Sequence, residues 1–324
     1  MSLLTEQVVR RADWIRGGKT GVMVHYLPSV LSQDRILDPP EWEDAVNAFD
    51  VGNFCRQIAD MGAEWLIFPF GQNCGKYCAP NPVLDKYIPG YTCRRNLLKE
   101  IALRLKRENI KTIAYLPAEV CFREPEFSQA LGWFDDEDKS IFQQRYEEIV
   151  RYWAVDLGDA IDGWWFDGCY TASEKSFVPE ADNRWTNARF TSSWYDAVRA
   201  GNPDVALAMC HGANSFGYVS PEQDYLAGEV NSLLEPPVNA PMQKHALLNL
   251  DLKVWMFRID PWHPEEVPEI EEPRFDYSEL LEWTKLCKER DCGITFNIGI
   301  FRSGELFEKS VDLVTKINRK VKNV

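Results

Sequence analysis

The stretch GWWFDGCY, residues 163–170, sets one carboxylate, Asp167, among four aromatic side chains. It is short and almost continuously apolar, the pattern of a strand covered on both faces. A carboxylate without partners is costly to bury. Asp167 is therefore either a strand end that reaches water or an acid with a task. Side chains alternate along a strand, so Trp165 and Asp167 share one face and Trp164 and Phe166 the other.

Runs of the same kind recur on either side: GVMVHYL (21–27), EWLIFPF (64–70), KTIAYLP (111–117), VALAMCHG (205–212), DYLAGEV (224–230), LKVWMFRID (252–260) and GITFNIGI (293–300). With 163–170 they make eight. Helical stripes fill most of the gaps: Leu98, Ile101 and Leu105; Ile141, Arg145, Ile149 and Trp153; and Phe307, Val311, Val314, Ile317 and Val321. Strand and helix alternating eight times predict an α/β fold, a (β/α)8 TIM-like barrel. The segment between His211 and Asp224 is too short and irregular for a full helix, so the barrel is expected to be irregular between strands five and six. An open doubly wound sheet is the alternative, and the count of eight favours closure. No repeat or linker divides the chain, which predicts one catalytic barrel domain over residues 1–324 with residues 1–20 as a lead-in.

Composition narrows the function. The net charge of −14 opposes nucleic acid and anionic membrane surfaces as partners. No apolar run is long enough to span a bilayer. The first residues, MSLLTEQVVRRADW, do not read as a secretory signal. Nine cysteines, an odd number scattered from Cys55 to Cys292, suit reduced thiols better than a disulfide framework, so a cytoplasmic location is expected. Cys74 and Cys78 have no second Cys/His pair nearby to complete a zinc site and read as loop residues.

A barrel builds its site at the C-terminal ends of its strands. Those ends carry His25, Gln72, Asn73, Glu119, Asp167, His211, Glu229, Asp260 and Asn297. Any one of these is explained by a strand end reaching water; the convergent set points to a site. A tryptophan beside a carboxylate suits a sugar, with the ring against the pyranose and the acid at the reacting carbon. Glycoside hydrolysis uses two carboxylates in different protonation states. Glu229 ends a strand two places further round the ring, so both acids could face one pocket; a salt bridge at the barrel mouth is the bland alternative for it. Glu119, Glu222 and Glu235 remain alternative acids.

The chain resembles the catalytic barrel of glycoside hydrolase family 29, the α-L-fucosidases. GVMVHYLPSV is similar to that family's first-strand motif, and GAEWLIFPFGQNCG to the strand that leads into its paired-histidine loop. CRRNLLKEIALRLKRENIKTIAYLP resembles its third strand and the helix before it. GWWFDG resembles its nucleophile motif Trp-Phe-Asp-Gly, the most specific part of the match. DYLAGEV resembles a segment that bears the acid/base in some members, and ITFNIGIFRSGEL the closing segment. The resemblance implies a retaining exo-glycosidase that needs no cofactor and takes a carbohydrate substrate. It makes Asp167 the nucleophile and Glu229 the acid/base. It makes Trp165 a pocket wall, His25 a hydroxyl ligand and Tyr115 a further contact, with Tyr26, Gln72, Asn73, Glu119 and His211 at the remaining substrate-binding positions. The departures fall on sugar recognition: Gln72 and Asn73 stand where the family has paired histidines, Tyr26 where it has tryptophan, and His211 near an expected arginine. The family's C-terminal β-sandwich has no counterpart in the sequence.

Two other classes compete. A metal-dependent barrel hydrolase would recruit His25, His211 and either His245 or His263 with Asp167, although no HxH pair marks the first strand and His245 and His263 read as helix or loop residues. A sugar-binding barrel that has lost catalysis would explain the altered strand-two loop.

Overall fold

Eight parallel strands form one curled sheet in a computed structural model that describes residues 11–29, 31, 36–72, 76–118, 125–169, 192–250 and 272–322. They are β1 (Thr20–Met23), β2 (Trp65–Pro69), β3 (Lys111–Pro117), β4 (Gly163–Asp167), β5 (Ala206–Met209), β6 (Glu229–Val230), β7 (Lys244–Asn249) and β8 (Cys292–Asn297). Their order is β5-β4-β3-β2-β1-β8-β7-β6, with every neighbouring pair parallel. This is the strand order of a barrel opened at one seam. The sheet is not closed: β5 and β6, the two edges, share no ladder. The irregularity expected between strands five and six is thus an open seam.

Helices cover the outer face: α1 (Pro39–Ala48), α2 (Val51–Asp60), α3 (Leu84–Tyr87), α4 (Leu97–Lys106), α5 (Pro125–Ala130), α6 (Ser140–Leu157), α7 (Ser192–Val198), α8 (Tyr277–Glu289) and α9 (Glu308–Lys322). Local chemistry sets their starts. Asp38 caps α1 and Asp276 caps α8, each in a reciprocal capping box with a glutamate three residues on. The expected stripe on α6 holds in its second half, where Ile149 and Trp153 are buried, but Phe142 and Tyr146 replace Ile141 and Arg145 in the first. No helix joins β5 to β6 or β6 to β7. The second of these connections contains Pro236, Pro237 and Pro241, which interrupt helical hydrogen bonding. Among the described residues no helix is long and apolar enough to cross a membrane.

The pleat divides the core in two. Met23, Ile67, Ile113, Tyr115, Trp165 and Cys210 fill the inside of the curl, while Leu66, Phe68, Trp164 and Phe166 pack outward under the helices. At the open seam a side chain stands in for the missing strand neighbour. Asp224, fully buried, accepts the Leu207 N–H at 2.9 Å, and its own N–H donates to Leu207 O at 2.7 Å. Arg199 at 3.2 Å and Arg11 at 3.5 Å balance its charge.

One expected strand is displaced. The seventh strand is Lys244–Asn249, not residues 252–260, which lie outside the described residues together with Asp260 and His263. His245, expected in a helix or loop, is fully buried in this strand, with Nε2 2.8 Å from Thr295 Oγ1 and Nδ1 3.1 Å from Ala227 O. KHALLN opens on Lys244 and His245 and ends on Asn249, which leaves an apolar run of only Ala246, Leu247 and Leu248, too short to stand out as the other strands do.

Candidate active site

Asp167 is the last residue of β4, at the C-terminal rim of the sheet, where its backbone carbonyl accepts the Ala118 N–H at 2.7 Å. Its carboxylate is met by donors on two sides. Oδ2 accepts from Tyr115 OH at 2.7 Å and from Gln72 Nε2 at 2.9 Å, and Oδ1 accepts from the Gly168 N–H at 2.8 Å. Gln72 Nε2 also donates to the Tyr115 hydroxyl oxygen, so β2, β3 and β4 are linked through one carboxylate. Charge-assisted bonds of this kind hold a carboxylate in one orientation.

Glu229 opens β6, on the opposite edge of the sheet. The curl carries it to Asp167: an oxygen of each carboxylate and the Cys210 sulfur all lie within 4.8 Å of one another. Burial pushes the Glu229 carboxyl up to about 8, and the nearby charge of Asp167 adds to the effect. A hydrogen bond from Cys210 Sγ to Glu229 Oε2, 2.9 Å long, works in the opposite direction. The Cys210 thiol is itself pushed well above the ordinary thiol range by burial and by the two carboxylates, so it acts as a donor. Two carboxyls side by side thus have different surroundings, one met by three donors and one driven towards its neutral form.

His25 follows β1 and is 6% exposed, with Nδ1 2.8 Å from Asn297 Oδ1. Asn297 in turn donates through Nδ2 to Asn249 Oδ1 at 3.1 Å, joining the ends of β7 and β8 to the segment after β1. Asn297 offers its oxygen to His25, which places the imidazole proton on Nδ1. Burial pushes His25 down to about 4, against the pull of Asn297 and of the Asp167 charge. A neutral imidazole therefore stands beside the carboxylates, edge-on to Tyr115 with ring centroids 5.9 Å apart.

The other expected site residues divide. Tyr115 and Gln72 belong to the Asp167 cluster. Trp165 is 1% exposed and stacks on Tyr115, with centroids 5.2 Å apart and planes 15° apart. It lies two residues deeper than Asp167 on the same face and supports the site from beneath, so it is not a pocket wall. Tyr26 is not in the site: it is fully buried on the outer face, packed on Phe49, with its hydroxyl donating to Ala45 O at 3.0 Å. The pleat is the reason, since adjacent residues point to opposite faces and His25 takes the inner one. His211 follows Cys210 in the β5–β6 connection, with Nε2 3.1 Å from Ser215 Oγ. Asn73 and Glu119 lie outside the described residues. Of the alternative acids, Glu235 is on the surface, paired with Arg290 at 2.8 Å, and Glu222 lies beside Arg199, which donates to its backbone carbonyl.

Cys210 is not among the strand-end residues that the sequence singles out, and Asn297 is named there without a role. Cys210 is nevertheless legible. In VALAMCHG, period-two counting puts Ala206, Ala208 and Cys210 on one face and Val205, Leu207 and Met209 on the other, which is the observed division. Among the described residues, the ligand-type atoms gathered at the rim are two carboxylates and a thiol.

Comparison with known proteins gives a fold. No family model matches the chain, and no curated protein sequence matches it. Solved structures do. An endo-fucoidan hydrolase of glycoside hydrolase family 107, P5AFcnA, aligns with a TM-score of 0.67 at 11% identity over 96% of this chain and 93% of its own. The α-L-fucosidase AlfC from Lactobacillus casei, in complex with α-L-fucose, aligns with a TM-score of 0.65 at 14% identity over 97% of this chain and 98% of its own. A bacterial fucosidase bound to an iminocyclitol inhibitor aligns with a TM-score of 0.62 at 16% identity, over 96% and 74%. The fold is that of fucose-acting glycoside hydrolase barrels, and identities this low speak for the fold alone.

Proposed function

We propose that the protein is a retaining exo-glycosidase acting on an α-L-fucoside or a stereochemically neighbouring glycoside, with Asp167 as nucleophile and Glu229 as acid/base. One observation carries this reading: two carboxyl groups with atoms within 4.8 Å of each other at the rim of the sheet, one accepting three hydrogen bonds and the other pushed up to about 8. Retaining enzymes hold their carboxyls about 5–5.5 Å apart, whereas inverting ones leave room for a water at about 6.5–9.5 Å. An oxygen pair within 4.8 Å favours the shorter of these arrangements. The fold likeness to fucose-acting hydrolases supports the substrate class, and so do Gln72 and His25 near Asp167, whose amide and imidazole match sugar hydroxyls, with Asn297 holding His25 from behind.

In this mechanism an Asp167 oxygen bonds to the anomeric carbon as the bond to the leaving oxygen breaks. That oxygen takes the Glu229 proton. The Glu229 carboxylate then removes a proton from water, whose oxygen displaces Asp167, and the free sugar leaves with both carboxyls restored. Tyr115 and Gln72 hold Asp167 for attack, and Trp165 fixes the Tyr115 ring.

The test is a panel of 4-nitrophenyl glycosides, beginning with the α-L-fucoside, on wild type, Asp167→Ala and Glu229→Ala. Asp167→Ala should lose turnover by at least about 10⁴-fold while keeping its circular dichroism and melting profile. Glu229→Ala should lose far more on oligosaccharides than on the activated aryl glycoside, and azide should partly restore it. Full activity in Asp167→Ala would sink the reading, and product analysis on an oligosaccharide separates terminal release from internal cleavage.

A further inference from the structure

We infer that Cys210 is a positioning residue for the acid/base: across a seam where no strand ladder fixes the two carboxyls, its thiol holds Glu229 against Asp167. The inference rests on the roles proposed above.

The need for such a residue follows from the topology. Asp167 sits on β4, and Glu229 on a two-residue strand whose only ladder is with β7, at Glu229–Leu247 and Val230–Leu248. The distance between the acids therefore spans the open seam. In a closed barrel a β5–β6 ladder would set it. Cys210 occupies that gap and is anchored to the nucleophile's strand: its N–H donates to Phe166 O at 2.7 Å, and its carbonyl accepts the Cys169 N–H at 2.9 Å. From this fixed backbone Sγ reaches Glu229 Oε2 at 2.9 Å. Backbone bonds cross the seam below the rim, Asp224 N–H to Leu207 O at 2.7 Å and Tyr225 N–H to Leu207 O at 3.3 Å, whereas at Glu229 itself the backbone contact is Ser215 N–H to Glu229 O at 3.4 Å.

A buried thiol suits the task chemically. Cys210 is fully buried in the interior cluster, and with its pKa raised by burial and two carboxylates it keeps its proton and serves as a donor. Donation to Oε2 leaves Oε1 as the oxygen that carries the catalytic proton. It also favours the ionised carboxyl, so Cys210 moderates an acidity that burial and Asp167 push the other way. The titratable groups that face Glu229 are Asp167 from β4 and Cys210 from the end of β5; its ladder neighbours on β7 are leucines.

The experiment compares full-length wild type, Cys210→Ser, which keeps a donor, and Cys210→Ala, which does not. Each is assayed on 4-nitrophenyl α-L-fucoside and on a fucosyl disaccharide across pH, with melting curves as a control for folding. Cys210→Ala should lose at least about tenfold on the disaccharide, part of the roughly 10²–10⁴-fold that a general acid supplies, and much less on the aryl glycoside. The alkaline limb of its kcat/KM profile should move to higher pH, and Cys210→Ser should restore both. A stable Cys210→Ala with the wild-type limb and equal losses on both substrates would overturn the inference. A readout without turnover keeps the two proposals separate. In difference infrared spectra the Cys210 S–H stretch, identified by its absence in Cys210→Ala, should shift when Glu229→Gln is introduced. No shift would refute the thiol–carboxyl bond whatever the activity, whereas a shift in a protein that hydrolyses no glycoside would retain the contact and remove the function.

Discussion

Glu229 shows how much one side chain owes to its surroundings. Burial and the charge of Asp167 raise it from an ordinary 4.5 to about 8, which keeps a proton available at neutral pH. The sign has two consequences. For a substrate with a poor leaving group, kcat/KM should fall as pH rises through about 8, because the acid form disappears; a profile flat to pH 10 would exclude Glu229 as the acid. In stability, a carboxyl whose folded pKa is raised costs nothing below its unfolded value and progressively more as pH rises through the folded one. Glu229→Gln should therefore gain melting temperature over wild type as pH increases from about 5 to 9, with little difference at the acid end. At the same scale, His25 is kept neutral by burial, so the imidazole beside Asp167 presents a hydrogen-bonding surface and not a second charge.

At the level of the element, the placing of β6 depends on the residue before it. Gly228 has φ +60°, and a Cβ there would lie 1.8 Å from His245 O, in the backbone of β7. Left-handed backbone and close approach together require glycine. This turn delivers Glu229 to the rim, so Gly228→Ala should both destabilise the fold, by roughly 1–3 kcal/mol for strain at such a position, and displace the proposed acid/base. The expected result is a lower melting temperature with a disproportionate loss on substrates that need acid assistance. An unaltered melting curve would show that the approach of this turn to β7 is looser than its geometry implies. The seventh strand carries the opposite lesson. KHALLN buries Lys244 partly and His245 and Asn249 fully, and these polar residues cut its apolar run to Ala246, Leu247 and Leu248, so the signal by which the other strands are found is missing.

For the whole molecule the deciding feature is the seam between β5 and β6. Asp224 spans it, taking the Leu207 N–H that a strand carbonyl would otherwise accept, with Arg199 and Arg11 as counter-charges. Burial raises its carboxyl to about 6, even against the pull of both arginines, so it is held at a cost and its removal leaves two part-buried cations without their counter-charge. Asp224→Ala should destabilise by about 3–5 kcal/mol by denaturant melting, although Asp224 has no proposed role in the reaction. A loss under about 1 kcal/mol would mean that water or a neighbouring backbone takes over the seam.

By itself the sequence determined the eight apolar runs, their alternation with helices, the irregularity after strand five, and the inner face shared by Trp165 and Asp167. These follow from hydrophobic period and chain order, which are local. Pleat parity also held more than was drawn from it: it excludes Tyr26 and points to Cys210, because neighbours in a strand must face opposite ways. Tertiary structure decided the rest. Only the curl of the sheet brings Glu229, on one edge, to Asp167, next to the other, and only the folded surroundings distinguish two chemically similar carboxyls, one accepting three hydrogen bonds and the other buried and pushed towards its neutral form. Distance and desolvation are properties of the folded chain, and neither is written in the spacing of residues.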